Sequence, residues 1–377
     1  CPSAALHALG QIATRVYGEG IRSERTVVAL RLIEASKPLR AAVESRDPAK
    51  VREAALALVA SGHLTDLQVV RAGKLLAEVG DAAVAPLRGT IADAAGKPLA
   101  SFTTSVWSDS GLLAETSGIT EGIAVLRTQL PSGAGRTIAG SLQLPGGRLA
   151  SQGTLTYGGT AYGFTSEPVN AFPTGKPLRE YVLRPLRSLT GLCGADAEET
   201  TVNTLSRIAR LIYAGEAGAR TGPLIERVQS SQPLLSAVAR RDPRSTRAAV
   251  QALLNHHIVR LRITAGGRLL ADVGGPYVLA PVAAPLRLGG STIGRLLLSI
   301  QDDEGYKRLA QRLAGLDVLM YMGGRLVKST IGFSPGAVPK SGHFAYRGKS
   351  YRAYTFFARA FPSGPLRITV LIPIPYR

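Results

Sequence analysis

The chain has 377 residues, 45% of them hydrophobic and 19% charged. That balance excludes a coiled-coil rod and a charge-driven disordered chain, and roughly 150 residues per domain leaves room for two or three cores. The 45 Lys and Arg against 26 Asp and Glu give a net charge of +19, which suits acidic partners: nucleic acid, anionic lipid, cell-wall polymer or small carboxylates.

The chain opens on Cys1, which reads either as an acylated lipoprotein cysteine or as the first residue kept after a removed export or membrane segment. Leu6, Leu9, Ile12, Ala13 and Val16 recur at a 3.6-residue period and predict a helix. Helical pattern continues over 26–34 and from Pro38, and Asp47–Pro48 supplies an N-cap and a first-turn proline for a helix reaching about residue 60. The period then switches to strands at Leu67, Val69 and Val70, a turn at Ala72–Gly73 and a second strand over 75–79, which reads as a hairpin. The second half runs in the same order. Helices are expected around Leu205, Ile208, Leu211 and Ile212, over 223–228, near Pro233, and from Asp242–Pro243 to about 254. A hairpin follows, with strands at Ile258, Leu261 and Ile263 and over 269–273. Extended segments are predicted over 277–281 and 293–300, a helix over 304–313, and strands over 316–321, 326–331, 342–346, 350–360 and 366–372. No apolar stretch approaches the roughly 18 residues of a spanning helix.

This parallel order reflects an internal repeat. LGQIATRVY at 9–17 recurs as LSRIARLIY at 205–213, and SKPLRAAVESRDP from Ser36 recurs as SQPLLSAVARRDP from Ser231. HLTDLQVVRAGKLLAEVG from His63 recurs as HIVRLRITAGGRLLADVG from His257. GTLTYGGTAYGFTSEPVNAFPTGKPLREYVLRP at 153–185 matches GHFAYRGKSYRAYTFFARAFPSGPLRITVLIP at 342–373. The expected organisation is a first domain over 1–189, a linker over 190–199 and a second domain over 200–377. Each is an α+β domain with N-terminal helices and a largely antiparallel sheet.

The order of long helices, then LRITAGGRLLADVGG, then IGRLLLSIQDDEGYKRLAQRL and a closing ITVLIPIP resembles the Cache group of bacterial extracytoplasmic sensor domains, which have a PAS-like fold. The resemblance implies one antiparallel sheet per module behind a long helix, with loops and short helices over a ligand pocket. The amino-acid-binding signature of some double-Cache receptors does not occur. In those receptors one long helix serves two stacked modules. Here each copy opens on its own helix, which favours tandem single modules. The implied function is non-catalytic sensing of a small organic ligand, with a carboxylate as the favoured class. It places the chain in the periplasm or on the extracellular face of the cytoplasmic membrane, within a membrane-anchored signal-transduction protein, with a homodimer as a candidate assembly. The rival reading is a cell-envelope scaffold or interaction lipoprotein with degenerate pockets.

Candidate ligand residues follow from polarity and alternation. Arg260 and Arg262 alternate with Leu261 and Ile263, so both leave the apolar face and could clamp a carboxylate. Their first-copy equivalents are Asp66 and Gln68. Asp302, Asp303 and Glu304 form the densest acidic spot of the second copy and suit a helix cap or a ligand contact. Tyr277, Tyr306, Tyr321 and Tyr351 supply aromatic rings with polar edges, and Trp107, Asp109 and Tyr162 are the first-copy equivalents. The second copy, being more polar here, is the expected binding module. Cys1 and Cys193 each precede the first helix of a copy. A disulfide locking the tandem, a free thiol or an acyl anchor are all open to them. His63 and His257 match singly, so no metal site is expected. The basic residues form no run, and no zinc-finger spacing, basic zipper or ribonucleoprotein motif occurs, so nucleic acid is not the expected partner. Lipase, Walker, dinucleotide and zinc-protease motifs are missing too, and neither a cofactor nor an enzymatic activity is expected.

Overall fold

The computed structural model describes residues 1–130, 134–215, 217–218, 221–254, 257–332, 336–361 and 364–376. The chain divides into two units, Cys1–Thr201 and Val202–Arg377, and each builds the same α+β order of elements.

In the first unit the predicted apolar stripe becomes α1 (Pro2–Arg22), with Leu6, Leu9, Ile12, Ala13 and Val16 buried along one side. Ser23 caps α2 (Glu24–Glu34), Ser36 caps α3 (Lys37–Ser45), and Asp47 caps α4 (Pro48–Ala60) by accepting from the amides of Ala49 and Lys50. Next come β1 (Asp66–Arg71), β2 (Lys74–Gly80), the short β3 (Ala83–Val84), β4 (Leu87–Ala92) and β5 (Pro98–Ser105). These make an antiparallel sheet of order β2-β1-β5-β4. Ile33, Leu39, Val43 and Val51 from the helices pack with Leu67, Val69, Ile91 and Phe102 from the sheet. β6 (Trp107–Ser108) pairs with β3 and leads into α5 (Asp109–Thr120). A second antiparallel sheet follows: β7 (Ile123–Thr128), β8 (Thr137–Gly140), β9 (Gln152–Tyr157), β10 (Thr160–Asn170) and β11 (Pro177–Pro185), in the order β8-β7-β11-β10-β9. The helices α1 and α5 lie on one face of it, and α6 (Leu186–Thr190) ends the copy.

The second unit repeats this with α7 (Ala197–Gly215), α8 (Gly222–Ser230), α9 (Gln232–Ala239) and α10 (Pro243–Leu254). Its first sheet comprises β12 (Arg260–Ala265) and β13 (Arg268–Gly274), then, beyond the short β14 (Val278–Leu279), β15 (Val282–Leu288) and β16 (Ser291–Ser299). Its order is β13-β12-β16-β15. β17 (Gln301–Asp302), α11 (Asp303–Ala314), β18 (Asp317–Met322), β19 (Arg325–Ser329), β20 (Ser341–Tyr346), β21 (Lys349–Phe361) and β22 (Gly364–Ile374) complete the unit. Its second sheet runs β17-β14-β21-β22-β18-β19, with β20 on β21.

Each copy therefore holds two sheets of four or more strands, and the first adds the two-stranded β3–β6 pair, where the sequence predicts one sheet. The physical reason is the helix between the strands. α5 and α11 interrupt the strand series: the strands after each helix build the second sheet, which in the second unit also takes in β14 and β17 from before α11. The repeat persists to single hydrogen bonds. Ser105 Oγ donates to the Val84 carbonyl and accepts from the Trp107 amide, just as Ser299 Oγ donates to Leu279 and accepts from Gln301.

Candidate functional site

A large cavity lies on the face of the first unit's second sheet that turns away from α1. Alternation along β11 decides what it presents. Arg179, Tyr181 and Leu183 point to this face, while Leu178, Glu180 and Val182 point to the helices. On β7, Val125 and Arg127 share the cavity face, since Tyr181 pairs with Val125 and Arg179 pairs with Arg127. Val125, Leu144, Phe164, Tyr181 and Leu183 form a core with the covering segment 141–151, which joins β8 to β9. Beside that core opens a cavity of about 1040 Å³, lined by Arg127, Arg148, Lys176 and Arg179 with Tyr181, Leu149 and Ser151. Leu130 and Ile138, 51% and 43% exposed, add apolar surface to its walls. Among the described residues, no acidic side chain lines it.

Arg127 is only 2% exposed. Its Nη2 donates to the carbonyls of Gly135 (2.8 Å), Pro145 (2.8 Å) and Gly147 (2.7 Å), and its guanidinium lies 6.0 Å from the Tyr181 ring centre. Its Nε is buried without a hydrogen-bond partner. Arg179 is held by Ser166, donating from Nε to the hydroxyl (3.0 Å) and from Nη2 to the carbonyl (2.6 Å).

On the equivalent face of the second unit, aromatic side chains dominate the packing. Leu319, Tyr351, Ala353 and Leu371 pack with Tyr321, Phe344 and Tyr346. The Tyr351 hydroxyl donates to Asp317 (3.1 Å), and burial, with the Asp317 charge, pushes its pKa up to about 12. Tyr306 is fully buried, donates to the Ala209 carbonyl (2.9 Å), and is raised in pKa by that burial.

Arg260 and Arg262 do not form an open clamp. Both hold Asp272, Arg260 through Nε (2.7 Å) and Arg262 through Nε and Nη2 (3.0 and 2.7 Å). Both guanidinium groups also lie over Phe361, at 5.1 and 4.9 Å. Burial pushes the Asp272 carboxyl upward, but the hydrogen bonds and charges of the two arginines prevail and hold it low. Replacing Asp272 with Asn should destabilise the second unit by about 1–3 kcal/mol, because two part-buried cations lose their counter-ion. Denaturant unfolding measures this, and an unchanged midpoint would show that the pair is dispensable. Arg262 also lines a smaller cavity of about 440 Å³ with Arg359 and Phe361.

The acidic spot is likewise occupied. Asp302 caps α11 by accepting from the Gly305 amide (2.7 Å). Asp303 and Glu304 face Lys328 at 3.6 and 3.1 Å. Burial raises the Asp303 carboxyl against the opposing pull of Lys328. Tyr277 sits at positive φ and its carbonyl accepts from the Asp303 amide (3.1 Å). In the first unit, Asp109 lines a cavity of about 540 Å³ with Asp81, Ser108 and Ser117, and burial raises its pKa. Trp107 packs against Gly20 of α1, where a Cβ would collide with the indole, and Tyr162 joins the core below the large cavity. Cys1 and Cys193 are joined as a disulfide, with Cα atoms 5.4 Å apart. Both lie in the first unit, so the bond closes one copy on itself and does not lock the tandem. A sulfur bonded this way also has no valence left for a thioether lipid.

The cavity arginines escaped the sequence reading because they lie 52 positions apart and meet only through the β7–β11 register. The available signal was Arg127 breaking the apolar run that precedes it. Among the described residues, no group of three His, Cys, Asp or Glu gathers to hold a metal, and no helix is long and apolar enough to cross a membrane.

No family model matches the chain, and no curated protein matches it. A solved structure with a weak, partial likeness is an extracellular ligand binding receptor from Desulfohalobium retbaense DSM5692, at 12% identity and a TM-score of 0.22. The match covers 58% of this chain and 47% of that one. The chain thus spans about half of that receptor's length.

Proposed function

We propose that the chain is a non-catalytic, extracytoplasmic ligand-binding module that holds a small organic ligand in the first unit's cavity. The cavity itself carries this reading. About 1040 Å³ is bounded by Tyr181, Leu149 and Ile138 with a few convergent polar groups, at the upper end of the usual range for small-molecule sites. The disulfide supports an oxidising compartment. The aromatic packing on the equivalent face of the second unit supports placing the ligand in the first unit rather than in the second, which the sequence favoured. As the Cache-like resemblance implies, the reading carries with it a membrane-anchored full-length protein and a homodimer.

Signalling in this reading is a population shift. The strand β11 presents Arg179 and Tyr181 to the cavity and Glu180 to the helix side. A ligand preferring one setting of β7 and β11 would bias α1 on the other face. Thermal unfolding of the chain against carboxylates, amino acids and purines near millimolar concentration should raise the first unit's transition for at least one compound. A ligand at 100 times its Kd would add about 2.7 kcal/mol. No shift across the panel would favour the scaffold reading.

A further inference from the structure

Arg127 and Arg179 stand directly opposite each other on neighbouring strands. Like charges in that position repel. Neither forms an ion pair with a carboxylate among the described residues. The three carbonyls on Arg127 and the serine on Arg179 fix both side chains without neutralising either. A buried guanidinium lacking a counter-ion is costly, and side-chain dipoles offset only part of that cost. Arg148 and Lys176 add two more cations to the same lining, again with no acid.

The other copy shows how the fold meets the charge of the equivalent arginine. There Tyr321 pairs with Arg367 in the register that joins Arg127 to Arg179. The Arg367 guanidinium lies 4.0 Å from the centre of the Tyr321 ring, so its charge is met by a π face. The second copy thus has one arginine close on an aromatic ring. The first copy has two arginines facing each other across the lining of a cavity, with the nearer ring, Tyr181, 6.0 Å from Arg127.

Resting on the ligand-binding reading above, we infer that the cavity takes an organic acid with two or more oxyanion groups. One carboxylate bridges Arg127 and Arg179, as planar guanidinium groups favour. A second oxyanion meets Arg148 or Lys176. The carbon body lies along Tyr181, Leu149 and the exposed Ile138.

Titration calorimetry on the full chain at pH 7 tests this with succinate, phthalate, citrate, inorganic phosphate and dimethyl phthalate. Phthalate or another of the acids should bind, and dimethyl phthalate, the neutral isostere, should bind at least about tenfold more weakly than phthalate. Arg179→Gln and Lys176→Gln should each weaken the bound acid by a similar factor. Arg127→Gln is a poorer probe, because Arg127 also holds three backbone carbonyls and its loss could unfold the covering segment. Binding of dimethyl phthalate as tightly as the acids, or unchanged affinity in Arg179→Gln, would overturn the inference and leave the ligand-binding reading standing. Inorganic phosphate binding as tightly as every organic acid would overturn the organic part. If no acid binds but a neutral compound of the wider panel does, the inference alone falls. If nothing binds at all, both fall.

Discussion

Reduction of the Cys1–Cys193 bond is expected to lower the melting temperature of the first unit by roughly 10 °C, the larger of the stability effects foreseen for a covalent change. The two cysteines are 192 positions apart. Opening a ring of that size returns much loop entropy to the unfolded chain, about 5 kcal/mol on the chain-entropy account. In a unit of this length each kcal/mol shifts the midpoint by about 2–4 °C. The native side of the balance has a local cause as well. Cys1 is the N-cap residue of α1, and Cys193 follows α6, whose Leu189 is fully buried beside Gly163 of β10. Leu6 of α1 approaches the same glycine. The bond therefore holds the start of α1 where it packs against α6 and the second sheet. The second unit contains no cysteine, so its own transition is an internal control. Calorimetry with and without reductant should show one transition move and the other stay. Two unmoved transitions would mean that the bond does not form in solution. Cys193→Ser should reproduce the effect of reductant, because no other cysteine can replace the partner.

What was legible in the sequence was local. The helices could be read because a 3.6-residue period and capping side chains act within one turn, as Asp47 and Asp242 do for α4 and α10. The hairpins could be read because Gly73 and Gly267 take the positive φ that a tight turn needs. The number of sheets per copy could not be read, because it depends on partners far along the chain. β1 pairs with β5 across β2, β3 and β4, and β7 pairs with β11 across β8, β9 and β10. The site divides the same way. That Arg260 and Arg262 share a face follows from their two-residue spacing. That Asp272 already occupies them follows from the β12–β13 register, which sets Arg262 opposite Asp272. In the first copy the same register sets Gln68 opposite Glu78, joined by a hydrogen bond of 2.7 Å. The copies have thus exchanged an ion pair for a neutral–acid pair. The Arg127–Arg179 pair needed both the register and the alternation of β11.

On the opposite face of β11, Glu180 is expected to make the first unit less stable as pH rises, the reverse of ordinary acid denaturation. Its side chain is fully buried between the sheet and the helices, and neither carboxyl oxygen has a hydrogen-bond partner. Thr116 of α5 lies near, Glu167 of β10 adds a second negative charge, and Tyr17 stands on α1. Gly10 lets α1 close over this spot, since a Cβ there would crowd Glu167 and Thr165. Burial, with the Glu167 charge, raises the Glu180 pKa from 4.5 to about 8. Below about 4.5 the group is protonated in both folded and unfolded chains and costs nothing. Between 4.5 and 8 the folded chain holds a proton that the unfolded chain has released, so stability falls with pH. Above about 8 the full penalty is present and constant, on the order of a few kcal/mol. Asp66, raised to about 7 by burial and by Glu78, adds a slope of the same sign that ends lower. Glu180→Gln should therefore keep the Asp66 part up to pH 7 and lose the fall between 7 and 8. The second copy has Ile368 at the equivalent place, fully buried, so an apolar side chain fits this position of the fold. Unfolding midpoints of the wild-type chain and Glu180→Gln across pH 4 to 9 decide the matter. Parallel curves would mean that Glu180 is solvated in the folded protein and that α1 does not seal it. Converging curves at low pH and a more stable variant at pH 8 would place a proton on the helix side of the strand that carries Arg179 and Tyr181, so that proton release there would act on the same β11 as a ligand in the cavity.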